Sequence, residues 1–240
     1  MTKQSITILQ LYSKDMNIYG DNGNVLVLKR RLEWYGYHAN VIAYNVGDVL
    51  PDDIDIVVGG GGQDSGQTKI QSDLISIAPK LKRLAESGTP MLVICGLYQL
   101  FGTFFKTSTD EVIKGIGIFD IETYGKSERL IGNTIIDSKD FGLLFGYENH
   151  SGQTFLNQKS NSLGIVRLGA GNNLKDGNEG ARYKNVIGSY LHGSILPKNP
   201  TLADFLLTTA VIKKYGVFHG DLIDDSYAHL ARKTAAKRPR

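Results

Sequence analysis

A continuous apolar run that ends in glycine, IDIVVGG at residues 54–60, constrains the fold more than any other stretch of this sequence. It lacks the alternation of a half-exposed strand and is typical of a strand buried on both faces of a sheet. The rest of the first half alternates strand patterns with helical patterns: strands at 5–11, 38–44 and 90–95, and helices at 24–37, 67–86 and 97–105. This alternation predicts an open, largely parallel sheet flanked by helices, with right-handed crossovers.

The second half changes character, because its apolar stretches are short and separated by Gly, Asn and Asp. Such stretches predict additional, antiparallel strands. They lie at 115–123, 129–137, 142–150, 162–169 and 185–193. An amphipathic helix is predicted at 200–216, and KDGNEGARYKN (175–185) is predicted to be an exposed loop. We expect an α/β fold in a single domain over residues 1–240, with 217–240 as a C-terminal tail that is either a docking segment or frayed.

Composition excludes several classes of protein. The formal net charge of +3 is too small to indicate a nucleic-acid partner, and a single cysteine allows no internal disulfide. No run approaches the ~18 apolar residues of a membrane helix, and the apolar stretch near the start is too short for a signal peptide. With 41% hydrophobic residues, the chain is expected to bury one full core and to be cytoplasmic.

The only cysteine, Cys95, ends the strand pattern PMLVIC and is followed by Gly96 and a helical pattern. A strand, a tight turn and a helix form the layout of a nucleophile elbow, which projects a reactive side chain above the sheet. The helix N-terminus would favour the thiolate, and the N–H of Gly96 could donate to a developing oxyanion. From the turn alone, a catalytic cysteine and a small buried apolar side chain are equally good interpretations.

Four consecutive glycines, Gly59 to Gly62, lie at the carboxyl end of the run at 54–60. In an open parallel sheet that edge is where ligands bind, and bare backbone there can bring a second N–H close to a reacting carbonyl. The segment has neither the G-x-x-x-x-G-K-S/T pattern of a phosphate loop nor the glycine spacing of a dinucleotide site. A plain flexible turn is the alternative interpretation.

A cysteine nucleophile needs a base, and the sequence offers five histidines. His38 opens a strand, and His219 and His229 lie in the polar C-terminal region, so all three suit the surface. His150 in YENHSG and His192 in SYLHGS both close strand patterns, so either could reach the sheet edge. Spacing alone does not separate them.

Four segments together resemble a known family. PMLVICGLYQLFG resembles the nucleophile segment of class I, triad-type glutamine amidotransferases, which have a flavodoxin-like fold. KGIGIFDIET, GYENHSG and GSYLHG resemble the downstream blocks of their cobyric acid synthase-like branch. Within that branch, YGDNGN and GGGGQDSGQ resemble stand-alone glutaminase subunits of lipid II isoglutaminyl synthases. The resemblance implies hydrolysis of L-glutamine, with the ammonia used to amidate the D-glutamate of lipid II in peptidoglycan synthesis.

The resemblance also implies catalytic roles at the matching positions. Cys95 would attack the side-chain amide of glutamine to form a γ-glutamyl thioester. His192 would hold the thiolate, protonate the leaving ammonia and later activate water. The N–H groups of Gly61 and Gly96 would form the oxyanion hole.

Substrate binding and the third catalytic residue follow from the same resemblance. Gln99 matches the motif glutamine behind the elbow and is assigned to substrate binding, and Arg129 would bind the α-carboxylate of glutamine. Many class I enzymes carry a glutamate two residues after the histidine, where this sequence has Ser194. The cobyric acid synthase-like branch also lacks that acid. Asp21 in YGDNGN is a candidate third member, with a turn-forming role as the alternative.

The sequence has no phosphate-binding loop, although ammonia transfer to a carboxylate requires activation by ATP. We therefore expect a separate Mur-ligase-like synthetase subunit that binds ATP and Mg²⁺, with no cofactor and no metal ion in this chain. Lipid II would be reached through that subunit, at the inner face of the membrane. The alternatives are a glutaminase subunit for another acceptor such as cobyrinate, a cysteine hydrolase of the deglycase or peptidase type, and a catalytically silent scaffold.

Overall fold

In a computed structural model, which describes residues 3–238, the apolar runs of the first half form one central sheet together with two short strands from the second half. Its strands are β1 (Ser5–Leu11), β2 (His38–Tyr44), β3 (Ile56–Gly59), β4 (Met91–Ile94), β11 (Ala181–Tyr183) and β12 (Val186–Ser189). They lie side by side in the order β11–β12–β4–β3–β1–β2, and only β11 runs antiparallel to its neighbour. Every residue of β3 and β4 is buried, as continuous apolar runs predict.

Five helices accompany this sheet within the described residues: α1 (Asn22–Trp34), α2 (Asp64–Glu86), α3 (Gly96–Leu100), α4 (Pro200–Tyr215) and α5 (Ser226–Ala235). The chain moves from β1 to β2 in one direction across the sheet and from β3 to β4 in the other. Right-handed crossovers therefore place α1 and α2 on opposite faces. The order reverses between β1 and β3, and ligands bind at such a switch point, outside the carboxyl ends of the strands.

A second, mostly antiparallel sheet is built around the long hairpin of β7 (Ile121–Ser138) and β8 (Gly142–Leu156). It also contains β5 (Phe104–Lys106), β6 (Val112–Lys114), β9 (Gly164–Leu168) and β10 (Asn178–Glu179). The pairing of β7 with β8 is irregular between Gly125 and Leu130, where four residues of β7 lie opposite one residue of β8. Arg129 is the last of these four residues.

The predicted fold class is confirmed: a largely parallel sheet with flanking helices, followed by additional antiparallel strands. Three local predictions are wrong. The helix predicted at 97–105 ends at Leu100, and residues 104–106 instead form β5 beside β7. Residues 115–123 are not one strand, because β6 ends at Lys114 and β7 begins at Ile121. The exposed loop predicted at 175–185 contains β10 and β11.

Burial of Glu179 explains why the loop prediction failed. Its side chain is fully buried, and its carboxylate accepts hydrogen bonds from the N–H of Tyr190 (2.6 Å) and the hydroxyl of Ser189 (3.2 Å). A polar segment can therefore enter the core when each buried group finds a partner. A polarity pattern alone does not contain that information.

The predicted C-terminal tail is partly helical and is tied to the core through Arg31. This buried side chain donates from Nε and Nη2 to Asp204 in α4 (2.8 and 2.7 Å) and from Nη1 to Asp225, next to α5 (2.6 Å). Residues 239–240 of the tail, like residues 1–2, lie outside the described residues. No helix in the described part of the chain is both long and apolar enough to cross a bilayer.

We expect Arg31→Met to lower the free energy of unfolding by roughly 2–3 kcal/mol, because it leaves two partly buried carboxylates without their partner. Arg30 is the matched control, since its side chain is 69% exposed and pairs with Glu33 on the same helix. Arg30→Met should change stability by less than about 0.5 kcal/mol. Urea unfolding of both variants checks this, and equal effects would contradict it.

Candidate active site

The candidate site lies at the switch point of the central sheet, where segments following β1, β3, β4 and β12 meet. A Cβ placed on Gly61 would lie 2.9 Å from Cε1 of His192 and 3.1 Å from Cβ of Cys95. The same Cβ would lie 3.6 Å from Oδ2 of Asp21. The structure thus brings three sequence-predicted residues, Cys95, His192 and Asp21, together around a fourth, Gly61.

Cys95 has the backbone geometry of a sharp elbow. Its φ of 50° and ψ of −106° are strained for a residue with a side chain. The turn is held by its N–H, which donates to the carbonyl of Ser189 (2.9 Å), and by its carbonyl, which accepts from the N–H of Gln99 (2.9 Å). Gly96 is closely packed, because a Cβ there would lie 2.7 Å from Cε of Met16 and 3.1 Å from the backbone nitrogen of Gly62, so a larger residue requires both groups to shift.

Burial keeps the thiol of Cys95 protonated at neutral pH. The side chain is only 6% exposed, and burial followed by the nearby Asp21 charge raises its pKa to about 12. The N–H of Gly96 and the charge of Arg129 act in the opposite direction but are outweighed. The helix terminus therefore favours the thiolate through the N–H of Gly96, as expected, but burial outweighs it, and a base must take the proton.

His192 is a neutral imidazole beside this thiol. It is 1% exposed, and burial, together with the nearby His150 and Arg129, lowers its pKa to about 3. Neither ring nitrogen has a hydrogen-bond partner among residues 3–238, so the ring is free to accept a proton. A β-bridge with Tyr147 fixes its backbone through N–H···O contacts of 2.8 and 3.3 Å.

Asp21 lies close to His192, with its Oδ2 3.9 Å from Nδ1 of the ring. That separation is too long for a hydrogen bond. The same oxygen accepts the N–H of Gly61 at 2.8 Å, while burial raises the pKa of the carboxyl to about 6. This contact conflicts with the oxyanion-hole role predicted for Gly61. Its N–H donates to Asp21, the candidate third catalytic residue, and not into the space where an oxyanion would form.

A cavity of about 400 Å³ opens beside Cys95. Its lining includes polar side chains from the segment after β1, from α2 and α3, and from β7 and β8: Tyr19, Asp64, Gln67, Gln99, Arg129, Asn149 and His150. At its rim Arg129 donates from Nε to Asn149 (2.6 Å) and from Nη2 to the hydroxyl of Tyr19 (2.8 Å). The ring of Tyr19 lies against that of His192, with centroids 4.3 Å apart. Tyr19 thus connects the arginine with the histidine.

Gln99 lies in the cavity wall and is fully paired. Its Oε1 accepts from Nε2 of Gln67 (3.0 Å), and its Nε2 donates to the hydroxyl of Tyr190 (3.0 Å). His150 stacks on Tyr190 at a centroid distance of 3.6 Å, with the two rings nearly parallel. Both histidines that the sequence left open therefore belong to the site, but only His192 borders Gly61.

Sequence reasoning missed Tyr19, Gln67 and Asn149. All three lie inside the segments that carry the family resemblance, YGDNGN, GGGGQDSGQ and GYENHSG, although nothing in those patterns marks their side chains. The other three histidines, at positions 38, 219 and 229, are exposed and do not line the cavity. No cluster of three or more His, Cys, Asp or Glu side chains in the described residues could hold a metal ion.

Comparisons with known proteins agree with this geometry. Residues 7–200 match the CobB/CobQ-like glutamine amidotransferase domain. The chain is 38% identical to the lipid II isoglutaminyl synthase (glutamine-hydrolyzing) subunit GatD of Staphylococcus aureus, over 97% of this chain and 96% of that one. It is 40% identical to the GatD subunit of Streptococcus pneumoniae, over 88% and 82%. A glutamine amidotransferase structure from Thermotoga maritima, at 16% identity, has a TM-score of 0.52 over 96% of this chain and 93% of that one, a likeness of fold alone.

Asp21→Asn should lower the pKa of Cys95, because it removes a negative charge that disfavours the thiolate but retains an oxygen for the N–H of Gly61. Between about pH 8 and 10, where only the minor thiolate fraction reacts, alkylation of Cys95 by iodoacetamide should then become several-fold faster.

Asp64→Asn is the control, since the Asp64 charge raises the same pKa more weakly. Its effect on alkylation should be smaller. Slower alkylation in Asp21→Asn than in the wild type would contradict the electrostatic account.

Proposed function

The chain belongs to the CobB/CobQ-like glutamine amidotransferase family, and from this membership we propose that it is the glutamine-hydrolysing subunit of a lipid II isoglutaminyl synthase. The observation that carries the proposal is the convergence of Cys95 and His192 on Gly61, beside a cavity with Arg129 at its rim. A thiol, a neutral base and a guanidinium are the groups that glutamine hydrolysis needs.

Glutamine binds with its α-carboxylate on the guanidinium of Arg129. Arg129 already presents Nε and Nη2 to two oxygens, those of Asn149 and Tyr19, so a carboxylate can replace them with the same planar geometry. The side-chain amide then extends toward Cys95 at the inner end of the cavity. Tyr19 must release Arg129 on binding while its ring still covers His192.

The reaction begins when the thiol proton passes to His192 as sulfur attacks the amide carbon. Coupling the two events avoids a thiolate–imidazolium pair before the attack, which burial disfavours at both groups, so the imidazolium forms only together with the oxyanion. The N–H of Gly96 donates to the oxyanion, and the charge of Asp21 stabilises the imidazolium. His192 returns the proton to the leaving nitrogen, so ammonia departs and a γ-glutamyl thioester remains on Cys95.

Water then completes the cycle. His192 takes a proton from a water molecule that attacks the thioester carbonyl, and the proton returns to the sulfur as glutamate leaves. The sum is glutamine plus water giving glutamate plus ammonia. Gly61 joins the oxyanion hole in this account only if its N–H turns from Asp21 toward the cavity.

The ammonia is used by a separate Mur-ligase-like subunit that binds ATP and Mg²⁺. The names of the two relatives support this division of labour, since each is the glutamine-hydrolysing subunit of a larger synthase. That subunit activates the D-glutamate carboxylate of lipid II at the inner face of the membrane, and this chain reaches lipid II only through it. The tail at 217–240 is a candidate docking segment.

Cys95→Ser should reduce glutamine hydrolysis by about 10³-fold or more, because the hydroxyl is a far poorer nucleophile than the thiol. In the complete complex with ATP and lipid II, the variant should lose glutamine-dependent amidation but keep amidation driven by added ammonium chloride. Mass spectrometry of lipid II measures both. Glutamine-dependent amidation by Cys95→Ser, or none by the wild-type complex, would contradict the proposal.

Arg129→Met should raise KM for glutamine by about tenfold or more, with a smaller change in kcat, because a charged hydrogen bond to the bound carboxylate is lost. Tyr19→Phe keeps the ring on His192 but removes the hydroxyl that holds Arg129 and should raise KM by a few-fold. The half-exposed Tyr147 provides the control, Tyr147→Phe, with unchanged kinetics expected. Unchanged KM and kcat for glutamine in Arg129→Met would contradict the assignment of Arg129 to the α-carboxylate.

A further inference from the structure

Two buried hydrogen-bond acceptors in the wall of the cavity have no partner. Oε1 of Gln67 and Nε2 of His150 belong to side chains of residues that are each 2% exposed, and neither atom is hydrogen-bonded within the part of the chain that the structure describes. Both residues line the cavity that contains Cys95. Because buried polar atoms are nearly always paired in folded proteins, two such atoms in one cavity point to a ligand that supplies N–H groups.

The amide of Gln67 is oriented by a relay of hydrogen bonds. Its Nε2 donates to Gln99 (3.0 Å), which donates to the hydroxyl of Tyr190 (3.0 Å), which in turn contacts the hydroxyl of Thr154 (2.6 Å). Both polar atoms of the Gln99 amide are used in this relay. Of the polar atoms in these two amide groups, Oε1 of Gln67 is the one without a hydrogen-bond partner in the described residues, and Gln67 is the residue of the relay that begins it at the cavity.

The ring of His150 is fixed in the same way. Its Nδ1 lies 2.7 Å from the carbonyl oxygen of Gly152, so Nδ1 carries the proton and Nε2 has a free lone pair. Burial lowers the pKa of the ring to about 4, although the nearby carbonyls of Gly152 and Gly171 favour the charged form. His150 is therefore a neutral acceptor held flat against Tyr190.

Close backbone approaches place the two acceptors on one wall, next to the nucleophile. A Cβ on Gly152 would lie 2.3 Å from Nε2 of Gln99, so the strand that holds His150 passes directly over the relay. A Cβ on Gly96 would lie 3.3 Å from the amide carbon of Gln67. Gln67 is thus adjacent to the residue that follows Cys95.

We propose that Gln67 and His150 form the subsite that binds the α-ammonium group of glutamine, through Oε1 and Nε2 respectively. This inference rests on the proposed function. Glutamine has two groups that donate hydrogen bonds, the α-ammonium and the reacting amide. The amide nitrogen must face His192 to be protonated as it leaves, so the ammonium is the group that remains for these acceptors. The donor-only side chain of Arg129 suits the carboxylate on the same carbon atom.

The exposed carboxylate of Asp64, at the first residue of α2, is the rival partner for an ammonium group. It differs from Gln67 and His150 because water already solvates it. Loss of the substrate's ammonium group should cost more at the buried acceptors, which have no water to return to. Asp64→Asn is therefore the matched control.

The test compares glutamine with its deamino analogue, glutaric acid monoamide, as substrates of the complete complex. The wild type should prefer glutamine in kcat/KM by about 10- to 100-fold, because the analogue cannot form the hydrogen bonds that involve the charged ammonium group. Gln67→Leu, and independently His150→Phe, which keeps the stack on Tyr190, should each reduce that preference by about tenfold through KM for glutamine. Activity on the analogue should change little, and Asp64→Asn should keep the full preference.

The outcomes distinguish failure of the ammonium subsite from failure of the proposed function. An active Gln67→Leu and an active His150→Phe that both retain the wild-type preference would overturn the subsite, as would loss of the preference in Asp64→Asn alone. If one of the two variants fails to fold, the other carries the same prediction. A wild-type complex that hydrolyses neither substrate would contradict the proposed function and the subsite with it.

Discussion

The site depends on the absence of a side chain at Gly61. A Cβ at this position would lie 2.9 Å from the ring of His192 and 3.1 Å from Cys95, closer than real Cβ atoms approach other groups without displacement. Because residue 61 is bare backbone, the segment after β3 fits between the elbow after β4 and the segment after β12. The parallel sheet contributes the rest, since the reversal of strand order between β1 and β3 leaves a crevice at the carboxyl ends of the strands.

Burial then sets the chemistry of the assembled groups. It raises the pKa of Cys95 to about 12, lowers that of His192 to about 3 and raises that of Asp21 to about 6, so each group is shifted toward its neutral form. This burial holds the thiol in its less reactive, protonated form. In the proposed reaction, charge develops only as sulfur attacks, where the N–H of Gly96 and the carboxylate of Asp21 would stabilise it. Within the described residues, the ring nitrogens of His192, Nε2 of His150 and Oε1 of Gln67 have no hydrogen-bond partner, which is consistent with a site that binds a ligand.

The sequence predicted those parts of the structure that depend on local pattern. β1 and β2 lie where predicted, and α4 begins at the predicted residue, because the hydrophobic period is read directly from the chain. The elbow at Cys95 was also visible as a strand, a turn and a glycine. Glu179 and Gln67 were misjudged or missed because their roles depend on partners distant in the chain, such as Tyr190 and Gln99. The assignments of Gly61 and Arg129 came from the family resemblance and remain predictions.

The central claim is that Cys95 is a nucleophile that reacts with glutamine in this cavity. Intact-mass spectrometry of the chain after incubation with the glutamine-mimicking electrophile diazo-oxo-norleucine tests it most directly. The account predicts a single covalent adduct, located at Cys95 by peptide mapping, absent in His192→Asn and suppressed by excess L-glutamine. No adduct at Cys95, or one that excess L-glutamine does not suppress, would contradict it.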